Sequence, residues 1–288
     1  GALLMVMGVP YDSARGRAIC GCISAILTGE SYAQSARMAA ELGPFERYEA
    51  NTDARLRVIR HPRPAAHYAA PLEYEGLPIR PVPIDPGHAP ADMLSVARNA
   101  WDKALELGQA HGYRNAQTTV IAPTGTISLF AGNVSSGLEP VFSFKYTRHV
   151  LQPDGTRKEE EVSDYAYRLY RKLRGEDAPL TDAFVDAQQL SPRDHLVMQA
   201  AVQKYIDSSI SKTINCPEDI SFDAFKDIYM EAYDLGLKGC TTYRPNDVTG
   251  AVLEVKGKKK TIKGPLQPSL PFDKPGAAAK PKDQGDSG

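Results

Sequence analysis

Apolar positions recur at helical spacing through much of the chain, and the pattern breaks where proline and glycine gather. Ile19, Cys22, Ile23 and Ile26 share one face of a segment from Arg15 to Leu27, the spacing of a core-facing helix. Ser31 reads as the N-cap of a second helix, which Gly43 and Pro44 stop. A third helix is predicted from Thr52 to Arg60, ended by Pro62 and Pro64. Pro71 to Pro90 carries no helical period and reads as an irregular connection with an extended piece at Leu77 to Val82. A strong helix follows from Ala91 to Gly108, with Leu94, Ala97, Trp101, Ala104 and Leu105 on its apolar face.

The period then changes. Gln117 to Ala122 is a short β-branched run bounded by turn residues and reads as a buried strand. Val141 to His149 reads as another strand, Asp164 to Leu173 and Arg193 to Ile206 as helices. Ser221 caps a helix that ends at Gly236, with Phe222, Phe225, Tyr229, Ala232 and Leu235 on its apolar side. Cys240 to Tyr243 is one more short strand. Helices alternating with short strands predict an α/β fold with parallel pairing. Past residue 250, and clearly from Lys256, lysines, prolines and alanines replace the apolar pattern, so 251–288 reads as a disordered tail behind an ordered region of 1–250.

Composition narrows the function classes. The chain has 288 residues and a formal net charge of −1, which points to no general nucleic-acid or membrane partner. The apolar run Ala2 to Val9 is too short to span a bilayer and lacks signal-peptide flanks. Residue 1 is Gly, and Leu3 to Met7 reads as a packed helix, so the chain is read as a fragment. Cys20, Cys22, Cys216 and Cys240 form no CxxC pair and no zinc spacing. Reduced thiols in a cytoplasmic protein fit that usage.

Three segments are candidates for chemistry. Pro123-Thr124-Gly125-Thr126-Ile127-Ser128 follows a predicted strand, with free amides, three hydroxyls and a glycine that lets an anion approach. It suits a phosphate or diphosphate, or else it is a plain strand–turn whose threonines satisfy their own backbone. Asn133 to Pro140 is either an ordered polar loop or a surface turn. Asp207 to Pro217 clusters several hydroxyls and an amide after a helix, lining a site or capping helix ends. The cysteines read as small buried apolar groups, since no cationic neighbour in sequence lowers their pKa. His61, His67 and His88 read as solvated in proline-rich loop.

Taken in order, four blocks resemble the large chain of ribonucleotide reductases. Leu3 to Ser13 is similar to the family's helix and turn beyond its catalytic cysteine loop. Arg114 through Ser128 is similar to its substrate-phosphate loop. Ser136 to Pro140 resembles the block after that loop, and Gln203 to Thr213 with Gly236 to Asn246 resembles the last part of its barrel. The resemblance implies the C-terminal part of a ten-stranded α/β barrel. It implies reduction of a ribonucleotide, a diphosphate by preference, through a thiyl radical, with Pro123 to Ser128 holding the substrate's phosphates. It also implies nucleotide effectors, a thioredoxin-type reductant and a homodimer in the complete protein. Family members with a separate radical subunit carry two adjacent tyrosines where this chain has Thr242 and Tyr243. The missing tyrosine points to the adenosylcobalamin-dependent branch. The alternatives are a two-subunit reductase that has lost one tyrosine, or a non-catalytic nucleotide-binding piece of a split reductase. The family's Asn-x-Cys-x-Glu loop and its C-terminal cysteine pair are not found in this sequence. No catalytic residue is therefore assigned, and the chain alone is expected to be inactive.

Overall fold

The structure is a computed structural model that describes residues 1–69, 74, 76–151, 157–244 and 253–254. Helix α1 (Ala2–Val6) leads into α2 (Ala14–Leu42). Ser13 caps α2 by accepting the Gly16 N–H at 2.9 Å, and Gly43, with φ of 76°, ends it. The expected break at Ser31 does not occur. Ser31 Oγ donates to the Leu27 carbonyl at 2.6 Å, the i−4 bond a serine makes inside a helix. Gly29, two residues before it, is where α5 (Ala91–His111) closes on α2. A Cβ at residue 29 would stand 2.8 Å from the Ala100 Cβ.

Between these helices lie α3 (Thr52–Arg60) and α4 (Pro62–His67). Pro62 does not end helical structure. It starts α4, where its missing N–H would have had no partner anyway. His61 and His67 therefore sit at helix ends rather than in a loop, and His67 Nε2 lies 3.1 Å from Asp102 Oδ1. Leu77 to Val82 forms no strand. The apolar face of α5 is the predicted one: Leu94, Ala97, Trp101 and Ala104 are buried, with Leu105 partly so. They meet Tyr32, Tyr113 and Tyr205 in the main core. Tyr32 and Tyr113 pack edge to face at 5.5 Å.

The second half supplies α6 (Gly125–Phe130), β1 (Lys145–Leu151), β2 (Arg157–Ser163), α7 (Tyr165–Arg174), α8 (Pro192–Gln203), β3 (Thr213–Asn215), α9 (Phe222–Asp234), β4 (Thr241–Tyr243) and β5 (Leu253–Glu254). Ser191 and Asp194 form a capping box on α8 with Pro192 in its first turn. Strands β2, β1 and β5 make one antiparallel sheet, while β3 and β4 pair in parallel. Two parallel bridges, Ile121 to Ile210 and Val141 to Asp186, extend the parallel pairing. The α/β expectation holds, with three corrections. Gln117 to Ala122 is not a buried strand: only Ile121 makes a bridge, and Val120 is 59% exposed. The strand expected from Val141 begins at Lys145, because Val141 is taken up by its bridge to Asp186. On α9 the buried residues are Ile228 and Ala232, packed with Leu196 and Ile214, and Phe222 is 79% exposed. The expected tail, apart from β5, lies outside the described residues. Among the described residues, no helix is long and apolar enough to cross a membrane.

Candidate functional site

The three polar segments singled out in the sequence converge. Asp207 fastens the first of them. Its Oδ2 accepts the Thr118 and Thr119 amides at 2.7 and 3.0 Å and the Thr118 hydroxyl at 3.1 Å, and its Oδ1 accepts from Tyr32. The backbone continues the seam: Ser208 N–H donates to the Thr119 carbonyl at 3.1 Å and Ser211 N–H to that of Ile121 at 2.8 Å. This is why residues 117–122 do not form a longer strand, since their amides are spent on a side-chain carboxylate.

Thr124 then turns the chain in a left-handed conformation, φ 50° and ψ 26°, and starts α6. Its hydroxyl accepts the Gly137 N–H at 3.0 Å, which ties the first segment to the second. Ser128 Oγ donates to the Thr124 carbonyl at 2.6 Å and lies 3.2 Å from Ser136 Oγ. Gly137 itself has a φ of 50°, and a Cβ there would stand 2.9 Å from the Ala122 carbonyl oxygen. Only glycine serves at such a position. The second segment is thus no surface turn.

Glu139 joins the third segment. Lys212 is fully buried, and its ammonium donates to Glu139 Oε2 at 2.6 Å, His195 Nδ1 at 2.7 Å and the Thr213 carbonyl at 2.6 Å. All three of its donors are used. Glu139 Oε1 accepts the Thr213 N–H at 2.5 Å. Burial pushes the Lys212 ammonium pKa down, and the Glu139 carboxylate pulls it back up. His195 is pushed down to about 3, by burial first and by the Lys212 charge second. The ring is therefore neutral and accepts at Nδ1.

That shift has a pH consequence. The unfolded chain protonates this histidine near 6.5, the folded one near 3. Between those values the unfolded state binds more protons, so stability is lost as pH falls through the window. Urea midpoints measured from pH 7 to 4 should fall more steeply for the wild type than for His195→Gln, whose amide oxygen can still accept from Lys212. Parallel pH slopes would show that the histidine does not carry this loss.

The walls so formed enclose a cleft of about 530 Å³. Gly125, Thr126 and Ser128 line it together with Glu139, Asp164, and Asn215 and Tyr243 from the ends of β3 and β4. The first amides of α6 have no i−4 acceptor inside the helix. Of the other expected phosphate-loop residues, Thr124 spends its hydroxyl on Gly137, Pro123 does not line the cleft, and the Ile127 side chain is turned to solvent. Asp164 was not singled out in the sequence, where it reads only as a helix start. Its Oδ1 caps α7 by accepting the Ala166 and Tyr167 amides at 2.7 and 3.1 Å. Its buried Oδ2 has no partner among the described residues, and burial raises its pKa. Tyr243 lines the cleft while Thr242 bonds Tyr229 at 3.0 Å.

Among the described residues, no cysteine or histidine lines this cleft. Burial raises the pKa of Cys20, Cys22, Cys216 and Cys240, the second to about 11. Among the described residues, no cluster of His, Cys, Asp and Glu could hold a metal ion. The cleft's lining combines backbone amides and hydroxyls, which donate, with two carboxylates, which accept.

A family model described as "Ribonucleotide reductase, barrel domain" matches residues 1–243. A protein of Bradyrhizobium diazoefficiens named vitamin B12-dependent ribonucleotide reductase is 56% identical over 144 residues, 50% of this chain and 11% of the relative. One of the same name from Streptantibioticus cattleyicolor is 33% identical over 282 residues, 90% of this chain and 45% of the relative. A Mycobacterium tuberculosis protein named vitamin B12-dependent ribonucleoside-diphosphate reductase is 36% identical over 165 residues, 51% of this chain and 23% of the relative. The chain spans less than half the length of these relatives.

Proposed function

Because the chain belongs to the ribonucleotide reductase barrel-domain family, we propose that it forms the substrate-phosphate wall of a ribonucleotide reductase active site. The observation that carries this reading is the mutual locking of Thr124–Ser128 with Ser136–Gly137, which aims the start of α6 into the cleft. Gly125 to Ser128 takes the substrate's phosphates through backbone N–H groups and hydroxyls. Glu139 and Asp164, which line the same cleft, accept from the sugar's hydroxyls.

A ribonucleoside diphosphate is the substrate this reading favours. Reduction of the ribose requires redox thiols, and none of this chain's four cysteines lines the cleft. The wall therefore binds and orients while thiols elsewhere in the complete protein do the chemistry. The purified chain alone should show no turnover, and measurable deoxyribonucleotide formation by it would count against this division of labour. Effectors, a thioredoxin-type reductant, dimerisation and a cytoplasmic location belong to the same reading of the complete protein.

The relatives' names carry cobalamin, and we extend adenosylcobalamin to the complete protein on that ground. Among the described residues, none that lines this cleft is a histidine or cysteine that could ligate its cobalt.

Gly125→Val tests the loop. A Cβ at residue 125 meets nothing within 4 Å, so folding should be unchanged while the added bulk stands over the anion's path. The complete enzyme should show a Michaelis constant raised about tenfold or more, the scale of one charge-assisted hydrogen bond, with an unchanged melting temperature. Normal nucleotide binding by this variant would sink the loop assignment.

A further inference from the structure

A second cavity, of about 470 Å³, shares no lining residue with the cleft. It lies among α2, α3, α5 and the C-terminal end of α8, and Arg55, Arg80, Lys204 and Lys238 contribute four cations to its wall. Among the described residues the one carboxylate there is Asp207, already engaged by Thr118, Thr119 and Tyr32. Lys238 donates to the Ile206 carbonyl at 3.1 Å and to that of Asp207.

Five further donor atoms of this wall are unsatisfied. Among the described residues, Arg55 Nε and Nη2, Lys204 Nζ, the Trp101 indole N–H and the Tyr205 hydroxyl are shielded from solvent with no hydrogen-bond partner. Trp101 and Tyr205 are each only 1% exposed. The Arg55 guanidinium is stacked 4.6 Å from the Tyr32 ring centroid, and the Lys204 ammonium lies 5.0 Å from that of Tyr205. These aromatic faces hold the cations in place but accept no conventional hydrogen bond. Folded proteins satisfy the great majority of such buried groups. A donor-rich, acceptor-poor cavity of this size is complementary to a small multivalent acceptor.

From this we infer that the cavity lined by Arg55, Trp101, Lys204 and Tyr205 is a second anion site, for a small oxyanion of the phosphate class. The bound oxyanion accepts from the guanidinium fork and the ammonium, with the indole and phenol donors closing around it. Burial pushes the pKa of Lys204 down to about 7, with Cys22 opposing, which agrees with an ammonium that lacks an anion.

Inorganic pyrophosphate is the probe. Calorimetric titration into the full chain should detect binding that Lys204→Met and Arg55→Gln each weaken by about tenfold or more. Gly125→Val should leave this binding intact, which separates the second site from the cleft. Without anion, Lys204→Met should melt higher than the wild type, because an unpaired buried charge is removed. Absence of binding at millimolar pyrophosphate would overturn the inference. So would binding lost in Gly125→Val and kept in the other two variants, or a lowered melting temperature for anion-free Lys204→Met.

Discussion

Replacing Lys212 with methionine should destabilise the folded chain by about 3–5 kcal/mol, the cost of breaking a buried ion pair from one side. The variant leaves Glu139 Oε2, His195 Nδ1 and the Thr213 carbonyl without their shared donor. Water cannot readily replace it, since both Lys212 and His195 are buried. Glu139 is better placed: its side chain is 22% exposed and keeps the Thr213 amide on Oε1. Adding Glu139→Gln should therefore recover part of the loss, with a coupling of roughly 1 kcal/mol or more between the two positions. Urea unfolding of the two single variants and the double one measures that coupling. Additive losses would show that the pair does not act as a unit. The same lysine holds β3, and so Asn215, in the lining that Gly125 to Ser128 shares, and on the proposed reading the weakened variant should also bind nucleotide less well.

Asp207→Ala should cost about 3 kcal/mol, because it strands two backbone amides that share one charged acceptor. Asp207→Asn should cost about 1 kcal/mol. An asparagine can turn its oxygen to the Thr118 and Thr119 amides and offer its NH₂ to Tyr32, whose hydroxyl then accepts rather than donates. Hydrogen exchange should locate the damage: the Thr118 and Thr119 amides should lose protection in the alanine variant and keep most of it in the asparagine variant. Equal losses in both variants would mean that charge, rather than acceptor geometry, holds this segment. The segment leads directly into Thr124, so the alanine variant should also loosen the 124–128 loop without touching it.

The helical layer was readable in the sequence where one face was apolar and both ends were capped. The α5 face and the Ser221 start of α9 are examples, because burial and capping act within a few residues. The continuity of α2 was not readable. Ser31 has the chemistry of a cap, and what keeps it helical is α5 lying against Gly29, a contact distant in sequence. Strand β2 was missed because Arg157-Lys158-Glu159-Glu160-Glu161 is charged throughout, and its place is fixed by pairing with β1. The three polar segments were visible one at a time. That Asp207, Gly137 and Lys212 bind them together was not, since those bonds span 13 to 89 positions of chain. Asp164 illustrates the same limit. As a helix cap it is local and legible, but its second oxygen matters only because the fold walls it in beside the cleft.

Ala100 fits the notch left by the absent side chain of Gly29 like a key in a slot. Sliding α2 by one turn, about 5.4 Å, would bring Ala25 or Ala33, on the same face as Gly29, against Ala100, and each carries the Cβ that Gly29 lacks. The close approach of the two helices therefore fixes their register. The Thr28 hydroxyl, next in the chain, stands 3.0 Å from that of Thr119, and Tyr32, one turn on, reaches Asp207. A methyl group added at residue 29 would therefore press α5 apart from the helix that carries Thr28 and Tyr32, the two residues that fasten Thr119 and Asp207.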